Sequence, residues 1–590
     1  MKSKELLQEL ISASLGEIPV DVFIKNGKVL NAFTKTLEKA DIGVHKGFIV
    51  SYDSDVKIGE KTKVIDAAGL TLAPSFIDGH IHYEVTKLSI TMFAKMLVKY
   101  GTGAIVTGLD ETYTVLGKRG ILETIKETES IPFVIIYGVP SKLPYTFPPS
   151  TLAYDLGFKE ASRLIGEDFA WGVWETVKEF ITKKDEDVIS TIEKASKLHK
   201  PIFGCAPLAN VKEINAISTA GVRLDHESYS PSEMYEKARR GMYVMIRESS
   251  VTHFLKTNID VIKKYKISPD RVGFCTDDVY AKDVVVKGHL DNVVRMAISE
   301  GLSPEDAYLM ASYNVAKMYL VDDWIGSISP GKVANIIFLD DFEKVKIKGV
   351  MGKGMIAYWD GNYTFDFKPP KRASFMLNTF KNAKKVNEEN IKVKAEGKKA
   401  KVLAIEVRDE NPFRRFGKEF VVDVVNGEVL PDVSKDMLYA VVVERHKGTG
   451  NVAVGFVNGF GLKEGAIASS SAPDDNNIVA VGTNKGDLTL AINHIIENNG
   501  GIVVANKGKI LKFVSLPIGG ILSDAEPEAM AKDENELDAI TKSLGSKLTS
   551  AVSTMSFLPI TAIPDYALTD KGLVDCVNLK IISPILEVYK

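Results

Sequence analysis

The sequence predicts an α/β protein: a (β/α)8 TIM-type barrel with a small split β-domain and a C-terminal α/β (α+β) domain. After residue 70, short apolar runs alternate with amphipathic helical segments. Short strands with turn signals come before this region and return after it. At 590 residues the chain is also too long for one hydrophobic core.

The composite β-domain is predicted from residues 1–70 together with residues 321–368. "DVFIKNGKVLNAF" carries Asn26-Gly27, which is typical of a hairpin turn. "DWIGSISPGKVANIIFLDDF" returns to the same pattern of short strands after the central region. We therefore expect the two segments to pair as one domain.

The barrel is predicted over residues 71–320, because eight apolar runs alternate mostly with helices. A doubly wound sheet more often stops at about five or six strands. The predicted strands are "SFIDGHIH", "GAIVTGL", "PFVIIYGVP", "AWGVWE", "PIFGCAP", "GVRLDHES", "GMYVMIRES" and "RVGFCTDD". Lys-rich residues 369–401 then predict a linker leading into a helix, and residues 402–590 predict a separate C-terminal domain.

Composition excludes several classes of protein. Hydrophobic content of 45% and charged content of 26% are typical of a soluble globular protein. A net charge of −3 argues against a broad electrostatic grip on nucleic acid. Three separated cysteines do not form a disulfide framework and favour a reducing compartment. With neither a signal peptide nor a membrane-spanning window expected, the predicted location is cytoplasmic.

Polar residues follow several of the predicted strands, at the end where a barrel places its chemistry. In "PSFIDGHIHYEVT", His80 and His82 share one face of the chain, so both imidazoles can reach one metal ion. His226, Glu175 and Asp277 end other strands. A carboxylate at Asp277 can bind a divalent metal and accept a proton from its water, although a helix-capping role is the alternative.

Longer motifs resemble the microbial adenine deaminase family of the amidohydrolase superfamily over nearly the whole chain. They are "FIDGHIHYE", "RRGMYVMIRESS", "FCTDD", "KGHLDNVVRMAI", "SPGKVAN", "VVERHKGTGNVAVGFVNGFGLKEGAIASS", "LPIGGILSD" and "LTDKGLVD". The resemblance implies hydrolysis of adenine to hypoxanthine and ammonia in purine metabolism. It also implies manganese or iron in the barrel and a metal-activated hydroxide that attacks C6 of the purine.

The family's metal ligands correspond to residues at the strand ends: His80, His82, Glu175, His226 and Asp277. The chain departs from the family pattern at three places. "GLDE" puts Asp110 in place of a histidine, and "GCAP" puts Cys205 in place of another. "APDDNN" has Pro473 and Asn476 where the family has histidines. A Cys205 thiolate ligand would favour zinc or iron over manganese, and a small buried Cys205 beside a single metal is the alternative.

For the reaction, Asp277 is expected to move the proton of the attacking water. Glu84, Glu111 and Glu227 are candidates for protonating the purine ring. Arg247 and His289 are expected to contribute to the substrate pocket, with a plain ion pair as the alternative for Arg247. The polar "GAIASSSAPDDNN" loop is expected either to close over the barrel mouth or to lie on the surface.

Two other functions stay open from sequence alone. The barrel can act on another purine or cyclic amide, because fold does not determine substrate. Alternatively, the departures indicate a degenerate homologue that binds a purine without turnover. By analogy, a homodimer or larger assembly is expected.

Overall fold

A computed structural model describes residues 2–145, 147–410 and 414–590. The N-terminal segment forms helix α1 and the first strands of a mixed sheet. These elements are α1 (Lys4–Ser14), β1 (Val22–Asn31), β2 (Thr36–His45), β3 (Phe48–Tyr52), β4 (Lys63–Asp66) and β5 (Thr71–Pro74). The bulge in the β1–β2 hairpin lies between Ile24 and Gly27, at the predicted turn signal, so the two strands continue past it.

Eight parallel strands follow and close into a barrel, which confirms the (β/α)8 prediction. They are β6 (Phe76–Asp78), β7 (Thr102–Thr107), β8 (Val134–Pro140), β9 (Ala170–Val177), β10 (Ile202–Cys205), β11 (Val222–Asp225), β12 (Tyr243–Arg247) and β13 (Val272–Cys275). Closure runs through a parallel bridge between Ile81 and Asp277, just beyond β6 and β13. Each strand coincides with one of the predicted apolar runs.

Helices cover the outside of the barrel. They are α2 (Ile90–Val98), α3 (Asp110–Glu129), α4 (Phe158–Ile165), α5 (Lys178–Thr182), α6 (Glu186–Lys197), α7 (Val211–Thr219), α8 (Pro231–Ala238), α9 (Leu255–Asn258), α10 (Asp260–Lys263), α11 (Ala281–Lys287), α12 (Leu290–Ser299), α13 (Pro304–Met310) and α14 (Tyr313–Met318). Their apolar faces pack on the strands, as amphipathic sequence periodicity requires. Among the described residues, no helix combines the length and apolar character needed to cross a membrane.

The chain then returns to the first sheet through β14 (Ile336–Asp341), β15 (Lys346–Gly352), β16 (Met355–Trp359) and β17 (Asn362–Tyr363). β14 pairs antiparallel with β5, so Ile336 lies opposite Pro74. The two ends of the barrel segment thus meet in one sheet.

The C-terminal region begins with a segment that leads into two strands, Val393–Lys394 and Lys399–Glu406, so the helix predicted at this point is wrong. An eleven-stranded sheet contains β18 (Val393–Lys394), β19 (Lys399–Glu406), β20 (Phe416–Val425), β21 (Glu428–Val429), β22 (Leu438–Val443), β23 (Val452–Asn458), β24 (Ala466–Ser469), β25 (Ile478–Gly482), β26 (Gly501–Asn506), β27 (Lys509–Ser515) and, later in the chain, β31 (Ile585–Tyr589). A small sheet holds β28 (Tyr566–Thr569), β29 (Gly572–Asp575) and β30 (Lys580–Ile582). The helices are α15 (Lys485–Glu497), α16 (Pro527–Ser543) and α17 (Ala551–Ser556).

Helix α16 docks on the barrel through acidic side chains that pair with barrel lysines. Glu534 lies 3.1 Å from Lys87 in a buried ion pair, and Asp538 pairs with Lys282. Glu528 lies 2.9 Å from Lys99 nearer the helix start. These contacts hold the C-terminal region against the mouth of the barrel.

Lys237 is a fully buried cation that ties two barrel loops together. Its Nζ lies 2.8 Å from Asp225 and 2.9 Å from Glu233, and it donates to the backbone carbonyl of Glu227 at 2.6 Å. Burial alone would lower the pKa of Lys237, but the charges of Asp225 and Glu233 raise it above its ordinary value. Asp225 also accepts the backbone N–H of Ala206, so one ion pair fixes the loops after β10 and β11.

We expect Lys237→Ala to lower the free energy of unfolding by about 3–5 kcal/mol, because it leaves the buried Asp225 carboxylate unpaired. Urea unfolding followed by circular dichroism measures the loss. Lys264→Ala is the control, since Lys264 forms an exposed pair with Asp260 on its own helix turn and should cost less than about 1 kcal/mol. Equal losses for both variants would contradict the prediction.

Candidate metal centre and active site

His80 and His82 follow β6 and converge on one point above the barrel. Their Nε2 atoms lie 3.3 Å apart. The backbone N–H of Asp277 donates to the carbonyl of His80 at 2.8 Å, and the N–H of His82 donates to the carbonyl of Asp277 at 3.0 Å. The ladder that closes the barrel therefore places the histidine pair beside Asp277.

Carboxylates and a third histidine complete the cluster. His82 Nε2 lies 3.3 Å from Glu175 Oε2, and His80 Nε2 lies 3.6 Å from Asp277 Oδ1. His226 Nε2 lies 3.9 Å from the other oxygen of Glu175. Two sets of ligand atoms, His80 with Glu175 and His226, and His80 with His82 and Asp277, each lie within 4.8 Å of one another. This imidazole and carboxylate donor set fits a divalent metal ion.

Both carboxylate residues of the cluster have an unusual backbone conformation. Glu175 has φ +37° and Asp277 has φ +60°, both in the left-handed region that residues other than glycine seldom occupy. Non-glycine residues held in this region are found preferentially at functional sites. The strain is consistent with side chains turned inward for binding.

Aromatic and backbone contacts orient the imidazoles. The His80 ring stacks between the ring of Trp174, at 4.1 Å, and that of His226, at 3.5 Å. His226 Nδ1 lies 3.1 Å from the carbonyl of Gly204, which can only accept, so Nδ1 carries the proton. His226 Nε2 is then left as an electron-pair donor facing the cluster.

Neighbouring groups determine the pKa values of the histidines and carboxylates in the cluster. Burial and the neighbouring His226 lower the pKa of His80 well below its ordinary value, which keeps this imidazole neutral. Burial by itself would raise the pKa of Glu175, but the hydrogen bond and charge of His82 outweigh it and lower this pKa. In the same way, the charge of Arg247 outweighs burial at Asp277 and lowers the pKa of that carboxyl group. Burial opposes protonation of His82, but the hydrogen bond and charge of Glu175 raise the pKa of His82 well above its ordinary value. Because neutral histidines and ionised carboxylates are the forms that bind metal, His82 must release its proton when an ion binds.

The two departures in the barrel lie beside this cluster. Cys205, His226 and Glu227 bring their ligand atoms within 4.8 Å of one another, and so do His82, Asp110 and Glu175. Burial, followed by the charge of Glu175, raises the pKa of the Cys205 thiol well above its ordinary range. Cys205 and Asp110 are thus each close enough to other ligand atoms to help bind a second cation.

Arg247 forms buried ion pairs with two acids, Glu227 and Asp277. Its Nη1 lies 2.6 Å from Glu227 Oε2 and also contacts Asp277 Oδ2. Asp277 is therefore gripped through one oxygen by Arg247, while its other oxygen faces His80 and His82. The predicted pocket residue Arg247 is placed at the base of the proposed metal centre.

His289 lies in the barrel wall, where its side chain is fully buried. Its Nδ1 lies 2.9 Å from the Thr102 hydroxyl, and its Nε2 lies 3.1 Å from Asp78 Oδ2. Asp78 also accepts hydrogen bonds from the backbone and hydroxyl of Thr276. The structure brings His289 to this packing network rather than to the pocket described next.

A pocket lies between the barrel and the C-terminal region. Glu84, two residues beyond His82, and Glu111 line it from the barrel, and Ser471, Pro473 and Asn476 line it from the "GAIASSSAPDDNN" loop. Its described lining residues do not include the five clustered histidines and carboxylates. This placement favours the prediction that the loop closes over the barrel mouth.

The pKa values of both pocket acids are raised. Burial raises the pKa of Glu84, and burial with the nearby Asp474 raises that of Glu111 well above its usual range. The Asn476 amide donates to Glu111 Oε2, and Thr112 donates to Glu84 at 2.8 Å. Burial and the charge of Glu175 raise the pKa of Asp474 to about 7.

Sequence reasoning missed Trp174, Asp78 and the role of Asn476. Trp174 donates from Nε1 to Asp110 at 2.9 Å as well as stacking on His80. The position of Trp174 directly before Glu175, and that of Asp78 two residues before His80 in the predicted strand "SFIDGHIH", were usable signals. The Asn476 contact joins residues 365 positions apart, and no local pattern indicates it.

A closed (β/α)8 barrel with this histidine and carboxylate cluster at the strand ends defines an amidohydrolase. Residues 71–357 match the amidohydrolase family, and residues 416–580 match the adenine deaminase C-terminal domain. The chain is 43% identical to adenine deaminase 1 of Desulfotalea psychrophila over 99% of its own length and 98% of the relative. It is also 43% identical to adenine deaminase 4 of Rhizobium meliloti, over 97% of its own length and 96% of the relative. The chain belongs to the adenine deaminase family.

We expect Cys205 to ligate a second cation together with His226 and Glu227, since the ligand atoms of these three residues lie within 4.8 Å of one another. Cobalt(II) added to metal-free protein should give a thiolate-to-cobalt charge-transfer band, because a coordinated thiol loses its proton. The band should be absent in Cys205→Ala and present in the control Cys576→Ala, whose thiol packs in the small C-terminal sheet. A parent spectrum without the band would assign Cys205 a packing role instead.

Proposed function

We propose that the protein hydrolyses adenine to hypoxanthine and ammonia. The observation that carries the proposal is the match to adenine deaminases along nearly the whole chain. It is supported by five proposed ligand residues that lie close together in the barrel. A pocket lined by two buried acids, between the barrel and the C-terminal region, supports a reaction that moves protons on a small polar substrate. The setting we propose is cytoplasmic purine metabolism, with a homo-oligomer expected by analogy.

The cation is proposed to be held by His80, His82, Glu175, His226 and Asp277. We propose manganese, with iron or zinc as alternatives that a Cys205 ligand would favour. When bound, a divalent metal supplies a hydroxide nucleophile at neutral pH, which water alone does not provide. The remaining steps fall to the side chains of the chain itself.

Asp277 is proposed to take the proton of the attacking water and pass it to the departing amine. Arg247 holds Oδ2 of Asp277, so that Oδ1 stays directed at the histidine pair. The same ion pair keeps Asp277 ionised between turnovers. An ionised carboxylate is the form that can accept a proton.

Glu111 is proposed to protonate N1 of the purine. Burial raises its pKa well above the ordinary value, which favours the protonated carboxyl group, and the Asn476 amide fixes one of its oxygens. Glu84 is the neighbouring alternative in the same pocket. Glu227 is less suited to the role because it is paired with Arg247.

A second candidate is hydrolysis of another purine or cyclic amide, with purine binding without turnover as the extreme case. The observation that favours it is the set of departures from the family pattern at Asp110, Cys205, Pro473 and Asn476. A panel of purines and cyclic amides read by ammonia release distinguishes these functions. Release from another purine with none from adenine would overturn the proposal.

Asp277→Asn should lower kcat on adenine by at least ~100-fold, because an amide cannot accept the proton. Ammonia release with added manganese measures the rate, and metal analysis of both proteins shows whether the ion is retained. Asp283→Asn is the matched control, since Asp283 pairs with Lys287 on helix α11. An Asp277→Asn enzyme at the parent rate would exclude the proposed role.

Glu111→Gln should lower kcat by about 10²- to 10⁴-fold, the contribution typical of a general acid. In the parent, the raised pKa means that the active protonated form prevails at low pH and is lost as pH rises through that pKa. The alkaline decline of kcat should therefore disappear from the residual activity of Glu111→Gln. Glu193→Gln, which alters an exposed pair with Lys197, is the control. An unchanged alkaline decline would assign it to another group.

A further inference from the structure

Two adjacent side chains after strand β22, Arg445 and His446, grip the loop that lines the pocket. Arg445 Nε donates to the backbone carbonyl of Asn476, and its Nη2 donates to the carbonyl of Gly519 at 3.0 Å. His446 Nε2 lies 2.8 Å from the carbonyl of Asp475 and must donate to it. The neighbouring side chains of Arg445 and His446 thus bind the neighbouring backbone carbonyls of Asn476 and Asp475.

Arg445 is a costly residue to place at this position. It is completely buried, and in the described part of the chain its hydrogen bonds go to carbonyls and to the Thr379 hydroxyl rather than to a carboxylate. Its guanidinium lies over the ring of Phe380 at 4.4 Å. Burial lowers the pKa of Arg445 to about 9. Burying a cation without a paired acid is unfavourable. A guanidinium kept at this position despite that cost indicates a specific positioning role.

The loop held in this way presents the side chain of Asn476 to the barrel acid Glu111. Asn476 has φ +51°, a left-handed conformation that asparagine tolerates better than most residues. Its Oδ1 accepts the backbone N–H of Ala472 at 3.1 Å, which fixes the orientation of the amide. Its Nδ2 must then face Glu111 Oε2 and the Thr114 hydroxyl.

The turn that carries Arg445 and His446 is itself braced. Glu444 accepts the backbone N–H of Thr449 at 2.8 Å and the Thr449 hydroxyl at 2.9 Å. It also accepts the backbone N–H groups of His446 and Lys447. These hydrogen bonds fix the backbone from which the side chains of Arg445 and His446 extend.

We propose that Arg445 and His446 are positioning residues for deamination: they hold the Asp475–Asn476 backbone so that the Asn476 amide orients the carboxyl group of Glu111. The inference rests on the proposed role of Glu111. It assigns the C-terminal region a part in the chemistry, through a relay of backbone and amide contacts that ends on a barrel acid.

The test is a double-mutant cycle on the full-length protein, with kcat and KM for adenine and metal content as readouts. Arg445→Lys keeps the charge but loses the planar fork. It should lower kcat by about 10- to 100-fold, since small misplacements of reacting groups cost rates of that order. KM and metal content should change much less. Asn476→Ala should give a similar loss, and the double variant should be no slower than Asn476→Ala alone.

Arg223→Lys is the matched control. Arg223 also donates to backbone carbonyls, those of Met318 and Lys317, but it lies near the start of β11, away from the mouth of the barrel. Its kcat should stay at the parent value. If Arg445→Lys does not fold, His446→Gln, which retains a donor, and His446→Leu, which does not, answer the same question: only the leucine variant should be slow.

The outcomes separate the inference from the proposed function. Losses that multiply in the double variant, or parent rates for Arg445→Lys together with a slow Glu111→Gln, overturn the positioning role alone. A parent rate for Glu111→Gln overturns the role of Glu111 and with it the inference. Equal slowing by Arg223→Lys would reduce the effect to general loss of packing and would also overturn the proposal.

Discussion

Closure of the barrel between β6 and β13 is the constraint on which the site depends. Asp78 accepts the backbone N–H of Thr276 at 3.1 Å and its hydroxyl at 2.5 Å, across 198 positions of sequence. One step further along the strands, the backbone of Asp277 pairs with that of His80 and His82 on both sides. Peptide hydrogen bonds thus set the separation of the proposed ligands, and their side chains need little further adjustment.

Burial has opposite outcomes for the pKa values of the acids at the mouth. Asp277 and Glu175 have cationic partners, Arg247 and His82, that outweigh burial and keep them ionised. Glu111 has an amide and a neighbouring acid instead, so burial prevails and its pKa is raised well above the ordinary value. The acids of the mouth therefore have pKa values shifted in opposite directions, which is the division that acid–base catalysis needs.

Local patterns predicted the barrel and the main cluster because their causes are local. Strand periodicity, the one-residue spacing of His80 and His82, and an acid directly after β13 can all be read within short windows. The placement of His289 in the wall and the strand after the Lys-rich segment depend on packing between elements distant in sequence. The contact of Asn476 with Glu111 depends on two domains meeting, which a single sequence without aligned homologues does not encode in any readable spacing.

The departures from the motifs of the resembled family, at Asp110, Cys205 and Asn476, lie next to the candidate ligands or a pocket acid. Asp110 accepts a hydrogen bond from Trp174, and Asn476 bridges Ala472 and Glu111, so these replacements are integrated into the local contacts. Cys205 stands beside His226 and Glu227 in the same way. The set formed by His80, His82, Glu175, His226 and Asp277 offers the imidazole and carboxylate donors that suit one divalent cation. A carboxylate at Asp110 and a thiol at Cys205 differ from imidazole in charge and softness as donors. These two residues therefore bear on which metal is bound and on how many ions bind, and not on the acids that are proposed to move protons.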